Sequence, residues 1–205
     1  VIQEGKMLNK QRIWVVILGL AAVIIVSCTS QEYSSAKLYI QQSECAKAKE
    51  FLIKAIEVEP DNPEIPYKLG YYIYALKEKD WEKMNQSFDK ALAIDPNKKI
   101  LGQEKTVKEF VTMARTDFWG EMYNKGVVEF NEYRAAAMDE KDAAMKKAIT
   151  TFEVSARIKP DEALSYTMLS TCNHLAGNTD KSEYYILQAV ALSPDDANVN
   201  LTAGQ

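Results

Sequence analysis

The sequence predicts an all-α chain, a solenoid of antiparallel helix pairs, and three observations predict it. Pro60, Pro96, Pro160 and Pro194 each close an apolar helical segment in the same way, in the contexts "AIEVEPDNP", "ALAIDPNK", "SARIKPDEA" and "AVALSPDDA". Proline lacks the N–H that a helix interior needs and restricts the residue before it, so each marks a helix end. A small residue, Ala55, Ala91, Ser155 or Ala189, stands five positions before each proline. Finally, no segment shows the period-two alternation of a half-buried strand.

The elements follow in order. The first pair, residues 29–62, carries Ala36, Tyr39, Ala48, Leu52 and Ala55 on one apolar register. The second, 63–96, opens on Asn62 as a cap with Pro63 at the first helical position. There Leu69 and Gly70 fit a count begun at Pro63, whereas Phe88, Ala91 and Pro96 need one begun two residues later. The two additional residues are assigned to the turn "KEKD". The third unit, 97–160, is irregular and extended. "NKKILGQEKTVKEFVTMARTDF" is too short for a pair, but Val107, Phe110, Val111, Ala114 and Phe118 give a helical stripe, so a helix runs into, or bends near Gly120 before, "MYNKG". Ten residues, "YRAAAMDEKD", then lengthen the hairpin before "KAITTF", and their Ala, Met and charged content favours longer helices over a loop. The fourth pair, 161–194, has Tyr166 and Leu169, Gly177 at the turn, then Ser182, Ile186 and Ala189, with Asn173 off type. Asp180 and Glu183 have capping-box spacing. A truncated fifth repeat is expected over 197–205, with Gly204 on the same register as Ala36, Gly70, Gly126 and Ser170.

Pro160 and Pro194 are 34 residues apart, and this period with its small and large residues resembles the tetratricopeptide repeat family. The resemblance implies pairs stacked into a right-handed superhelix, each burying its stripe on its neighbours. It also implies a concave groove that takes a protein or peptide, lined by the first helix of every pair. Tyr33 and Lys37 would line it in the first pair, Tyr67, Tyr71 and Tyr74 in the second. Tyr123, Phe130 and Asn131 follow in the third, Thr171 and His174 in the fourth. Tyrosine joins large contact area to a hydroxyl, so the second helix is the sharpest candidate. The alternative that "YYIYAL" only packs repeat on repeat stays open.

At the amino terminus Lys10 and Arg12 precede an uncharged, mostly apolar run from Ile13 to Val26, followed by Ser27 and Cys28. That run is short for a hydrocarbon core of roughly 30 Å. An export signal is therefore expected over residues 1–28, with residues before Met7 read as leader. Ser27-Cys28 resembles the lipobox of bacterial lipoproteins, which implies lipidation of Cys28. An uncleaved apolar membrane anchor helix and a plain secreted protein are the alternatives. Each places the repeats outside the cytoplasmic membrane, on the periplasmic or outer-membrane face of a bacterial envelope.

With 25 basic and 29 acidic residues and no basic stripe, nucleic acid is an unfit partner, since a polyanion needs clustered Lys and Arg. Cys45 and Cys172 form no C-x-x-C and read as small core residues. His174 is the single histidine, and no nucleophile, phosphate-loop or zinc motif accompanies it. The expectation is a non-enzymatic interaction scaffold without cofactor or metal, joined to a membrane through its amino terminus. A glycan- or peptidoglycan-binding accessory, and the substrate adaptor of a longer enzyme truncated at residue 205, are the rivals.

Overall fold

The computed structural model describes residues 29–100, 102–196, 199, 200 and 202. Among these the regular structure is helical, apart from one isolated bridge between Lys99 and Thr106. The expected signal or anchor segment, Cys28 and Gly204 lie outside the described residues. Among the described residues no helix is long and apolar enough to cross a membrane. The chain divides into two compact units, ending and beginning at Glu59 and Pro60.

The first unit is one hairpin, α1 (Gln31–Gln41) and α2 (Cys45–Val58). The Ser30 hydroxyl starts α1 by accepting from the Tyr33 N–H at 3.1 Å, satisfying one of the donors every helix start leaves unpaired. Tyr33, Ala36, Ala48, Leu52 and Ala55 are buried, as the register requires. Cys45 is only half-buried at the start of α2, a correction to its reading as a core residue.

In the second unit, α3 (Glu64–Lys68) continues without interruption into a wider π-helical segment, Leu69–Glu78, and pairs with α4 (Trp81–Ile94). The Asn62 carboxamide accepts from the Glu64 N–H at 3.2 Å, but the helix starts one residue later than expected, with Pro63 in the cap position and Glu64 as its first residue. The two surplus residues do not lengthen the turn, which is only Lys79 and Asp80. They are taken up inside the helix, where i→i+5 bonding fits more residues into each turn than an α-helix holds. This winding lets Gly70 stay opposite Phe88. A Cβ on Gly70 would lie 2.8 Å from a Phe88 ring carbon.

Next, α5 (Val107–Ala135) runs 29 residues, unbroken through Gly120. It starts in a full capping box, Thr106 Oγ1 accepting from the Glu109 N–H and the Glu109 carboxylate accepting from the Thr106 N–H. Its first half buries Val107, Val111, Ala114 and Phe118 with Tyr67, Met84 and Phe88. Its second half pairs with α6 (Lys141–Ile158), and here a Cβ on Gly126 would come within 2.7 Å of the Phe152 ring. Of the ten extra residues of this hairpin, Tyr133, Arg134 and Ala135 extend α5 and Lys141 and Asp142 begin α6, while 136–140 form a non-helical connection, so the expectation of longer helices in place of a loop holds for half of them.

The last pair is α7 (Ala163–Leu175) and α8 (Thr179–Leu192), turned by Gly177 at φ 75°, a left-handed value that costs glycine little. A polar seam ties α5, α6 and α7. Trp119 Nε1 donates to Ser165 Oγ at 2.8 Å, and Ser165 bonds Ser155 at 2.9 Å. Asn173, off type in the sequence, is buried with its amide bonded to Leu169 O at 2.8 Å and its oxygen accepting from Asn178 at 3.3 Å. The expected Asp180 capping box is not formed. The helix begins at Thr179, so Asp180 already sits within the first turn.

Candidate functional site

The predicted groove residues differ in burial and in partners. Tyr33 is 2% exposed, with the Lys37 ammonium 4.7 Å from its ring centre. Tyr67 is core, 7% exposed, its ring centre 5.8 Å from Phe88 and 5.7 Å from Phe110. Tyr71 packs on Phe118 at 5.6 Å, and Tyr74 is half-buried with Lys83 over its ring. Burial drives the Tyr67 and Tyr71 phenols above their ordinary range, Tyr67 the further. Tyr67 is therefore corrected from a groove residue to a core residue, while Tyr71 and Tyr74 keep part of their surface. The first half of α5, the helix expected over this stretch, lays Phe110 against Tyr67 and Phe118 against Tyr71.

In the third pair Tyr123 stacks on Trp119 at 5.0 Å and meets Phe152 edge-on, Phe130 packs near Tyr133, and Asn131 is exposed. Thr171 and His174 lie together beside Leu175 and Glu183 at an open hollow of about 450 Å³.

A larger cleft, about 710 Å³, opens between α4, α6, α7 and α8. Tyr166 and Tyr185 form one side, their ring centres 6.4 Å apart, and Tyr184, 58% exposed, meets Tyr185 edge-on at 5.2 Å. Pro160 contributes apolar surface beside buried Ala156 and Leu169, and Glu82 and Glu153 bring carboxylates. Burial first, then the Glu153 charge, raises the Tyr185 phenol; burial, then Tyr184 and Asp161, raises Tyr166. Both therefore keep their protons at neutral pH. The wall is pinned by hydrogen bonds. Asn85 Nδ2 donates to the carbonyls of Arg157 at 2.8 Å and Ile158 at 3.2 Å, satisfying helix-end acceptors of α6. Arg115 from α5 donates to Asn85 Oδ1 at 2.8 Å and pairs with Asp89 at 2.7 Å.

A further cleft of about 620 Å³ lies between the lengthened hairpin and the α7–α8 turn, with Tyr133, Met138, Met145, Lys146 and Lys181 at its edges. Among the described residues no group of His, Cys, Asp and Glu is placed to hold a metal ion. The sequence signal for the tyrosine cleft was present but unused: in "SEYYIL" only Tyr184 projects from the side opposite the buried Ile186.

No protein-family model and no curated protein matches the chain. Among solved structures it is similar to TTC0263, a thermophilic TPR protein of Thermus thermophilus, with 16% identity, TM-score 0.39, and coverage of 86% of this chain and 79% of that one. It is similar also to YrrB, described as a TPR protein with an unusual peptide-binding site, at 16% identity and TM-score 0.35, covering 87% and 93% of the two chains. The TPR2AB domain of yeast Sti1, solved in complex with pHSP90, gives 14% identity, TM-score 0.34, and coverage of 89% and 71%. In these comparisons, as in its sequence register, the chain is similar to tetratricopeptide-repeat proteins.

Proposed function

We propose that this chain is a non-enzymatic scaffold that binds a protein or peptide, exported and held at the bacterial cell envelope by residues 1–28. One observation carries the binding reading. The tyrosine cleft is assembled from three successive helix pairs, the first two tied by the Asn85–Arg115 hydrogen bonds and the last two by the Trp119–Ser165 and Ser155–Ser165 bonds, so a ligand meets a site that is already shaped. Pre-organisation of this kind lowers the ordering cost that otherwise consumes binding energy. Tyr184 and Tyr185 supply rigid contact area, and the cleft has the size of a small-ligand or short-peptide pocket.

The test is peptide display on the full chain, followed by affinity measurement against Tyr184→Ala. Enriched peptides should bind the wild type and lose about tenfold or more with the variant, the scale of an interface aromatic anchor. Equal binding to both proteins would remove the cleft as the site, and enrichment of nothing, with soluble peptidoglycan fragments binding instead, would favour the glycan-binding rival. The envelope reading rests on Lys10 and Arg12 before the apolar run and on Ser27-Cys28 after it. Metabolic labelling with palmitate should tag the wild type and spare Cys28→Ala.

A further inference from the structure

We propose that the tyrosine cleft selects a peptide segment presenting a lysine or arginine beside an apolar residue. This deepens the scaffold reading and rests on it. Three carboxylates border the cleft, Glu82, Asp89 and Glu153, against one cation, Arg157. Asp89 is already neutralised by Arg115 at 2.7 Å. Glu82 accepts a hydrogen bond from Gln86 at 3.3 Å, and among the described residues neither it nor Glu153 has an ion-pair partner. Arg157 donates through Nε to the backbone carbonyl of Glu153 at 3.4 Å and forms no ion pair with either glutamate among the described residues, and the Glu153 carboxylate has the neutral Tyr185 phenol beside it, so no ion pair neutralises the two.

The rings point the same way. Tyr33, Tyr39, Tyr72, Tyr74 and Tyr133 each carry a lysine ammonium of this chain over the ring, between 4.7 and 5.8 Å from its centre. Tyr166, Tyr184 and Tyr185 carry none among the described residues, although they stand beside uncompensated carboxylates. An ammonium or guanidinium entering here would gain both the negative ring faces and a charge-assisted hydrogen bond. Its aliphatic stem would lie along exposed Pro160 and the tyrosine rings, burying apolar surface while the head stays polar. An acidic segment would face two uncompensated glutamates and be rejected, which gives the cleft selectivity by repulsion as well as attraction.

Three pools of fluorescein-labelled decapeptides test this, identical in their Ser and Ala background and differing in a central Lys-Leu, norleucine-Leu or Glu-Leu pair. With the full chain at low salt, the Lys-Leu pool should bind about tenfold tighter than the norleucine pool, with the Glu-Leu pool weakest. Glu153→Gln and, on a different helix, Glu82→Gln should each narrow the lysine advantage by about threefold or more, and Glu153→Lys should favour the Glu-Leu pool. Tyr184→Ala should weaken the Lys-Leu and norleucine pools both, the Lys-Leu pool the more because it also loses a ring face. Equal affinity for the lysine and norleucine pools, with both still lost in Tyr184→Ala, would overturn the charge preference and leave the scaffold reading standing. Binding of no pool, or binding indifferent to Tyr184→Ala, would overturn both.

Discussion

Gly126 and Gly120 occupy one helix and predict opposite results when a methyl group is added. At Gly126 the new Cβ would meet the Phe152 ring at 2.7 Å, whereas at Gly120 it would meet nothing within 4 Å. Gly126→Ala must displace a fully buried ring, an overpacking cost of about 1–3 kcal/mol. Gly120→Ala removes backbone freedom from the unfolded chain and should stabilise by about 0.5–1 kcal/mol. Urea denaturation of the two variants measures both signs, and a neutral Gly126→Ala would mean that the helices of this pair are not in close contact. A second residue-scale outcome concerns the thiols. Burial pushes the Cys172 thiol up to about 12, so its nucleophilic thiolate is scarce at pH 8. Iodoacetamide at that pH should modify half-buried Cys45 in the native protein and reach Cys172 only after unfolding, as peptide mass spectrometry would show.

At the scale of the elements, helix starts separate what patterning can read from what it cannot. Thr106 forms a complete capping box, while Asp180, with equally good spacing, caps nothing. Thr106→Ala should therefore cost about 1 kcal/mol and Asp180→Ala close to none. Hydrogen bonds from the Thr106 backbone and hydroxyl hold the Glu109 carboxyl below its ordinary range. A carboxylate depressed in this way adds stability above its unfolded pKa and loses it as pH falls through the folded one. The gap between wild type and Thr106→Ala in thermal melts should thus be full at neutral pH and shrink on acidification below the normal carboxylate range; a constant gap would mean that the box is not made.

The same contrast explains which features were legible. Helix ends and small residues could be read because proline chemistry and close approach are local constraints, and Gly70 and Gly126 sit where Phe88 and Phe152 demand them. Two things could not. The surplus residues before Trp81 fit a longer turn or a wider helix equally well by counting, and only the packing of Gly70 on Phe88 selects the π segment. Likewise, nothing near Tyr67 or Tyr71 in the sequence announces that Phe110 and Phe118 will cover them. The tyrosine cleft is harder still, because Glu82, Glu153 and Tyr184 meet through the stacking of separate pairs.

For the molecule as a whole, the second unit depends on ties between pairs as much as on pairing itself. In a repeat array stability is nearly a sum of unit and nearest-neighbour terms, so a weak junction lets one part open while the rest stays folded. The junction between α4 and α6 is held by Asn85, whose side chain serves the Arg157 and Ile158 carbonyls and the Arg115 guanidinium together. Asn85→Ala removes the donor from these helix-end acceptors and leaves Arg115 its pair with Asp89 alone, a loss of roughly 0.5–1.5 kcal/mol. Because the two residues act as one network, Asn85→Ala and Arg115→Ala should fall short of additivity by about 0.5 kcal/mol or more in a double-mutant cycle. The same substitution loosens a wall of the cleft without removing any residue that would touch a ligand through its ring or carboxylate. The Lys-Leu pool should accordingly bind Asn85→Ala more weakly, mainly through faster dissociation, while its preference over the norleucine pool persists. Additive losses with unchanged binding would show that the junction neither couples the pairs nor shapes the site.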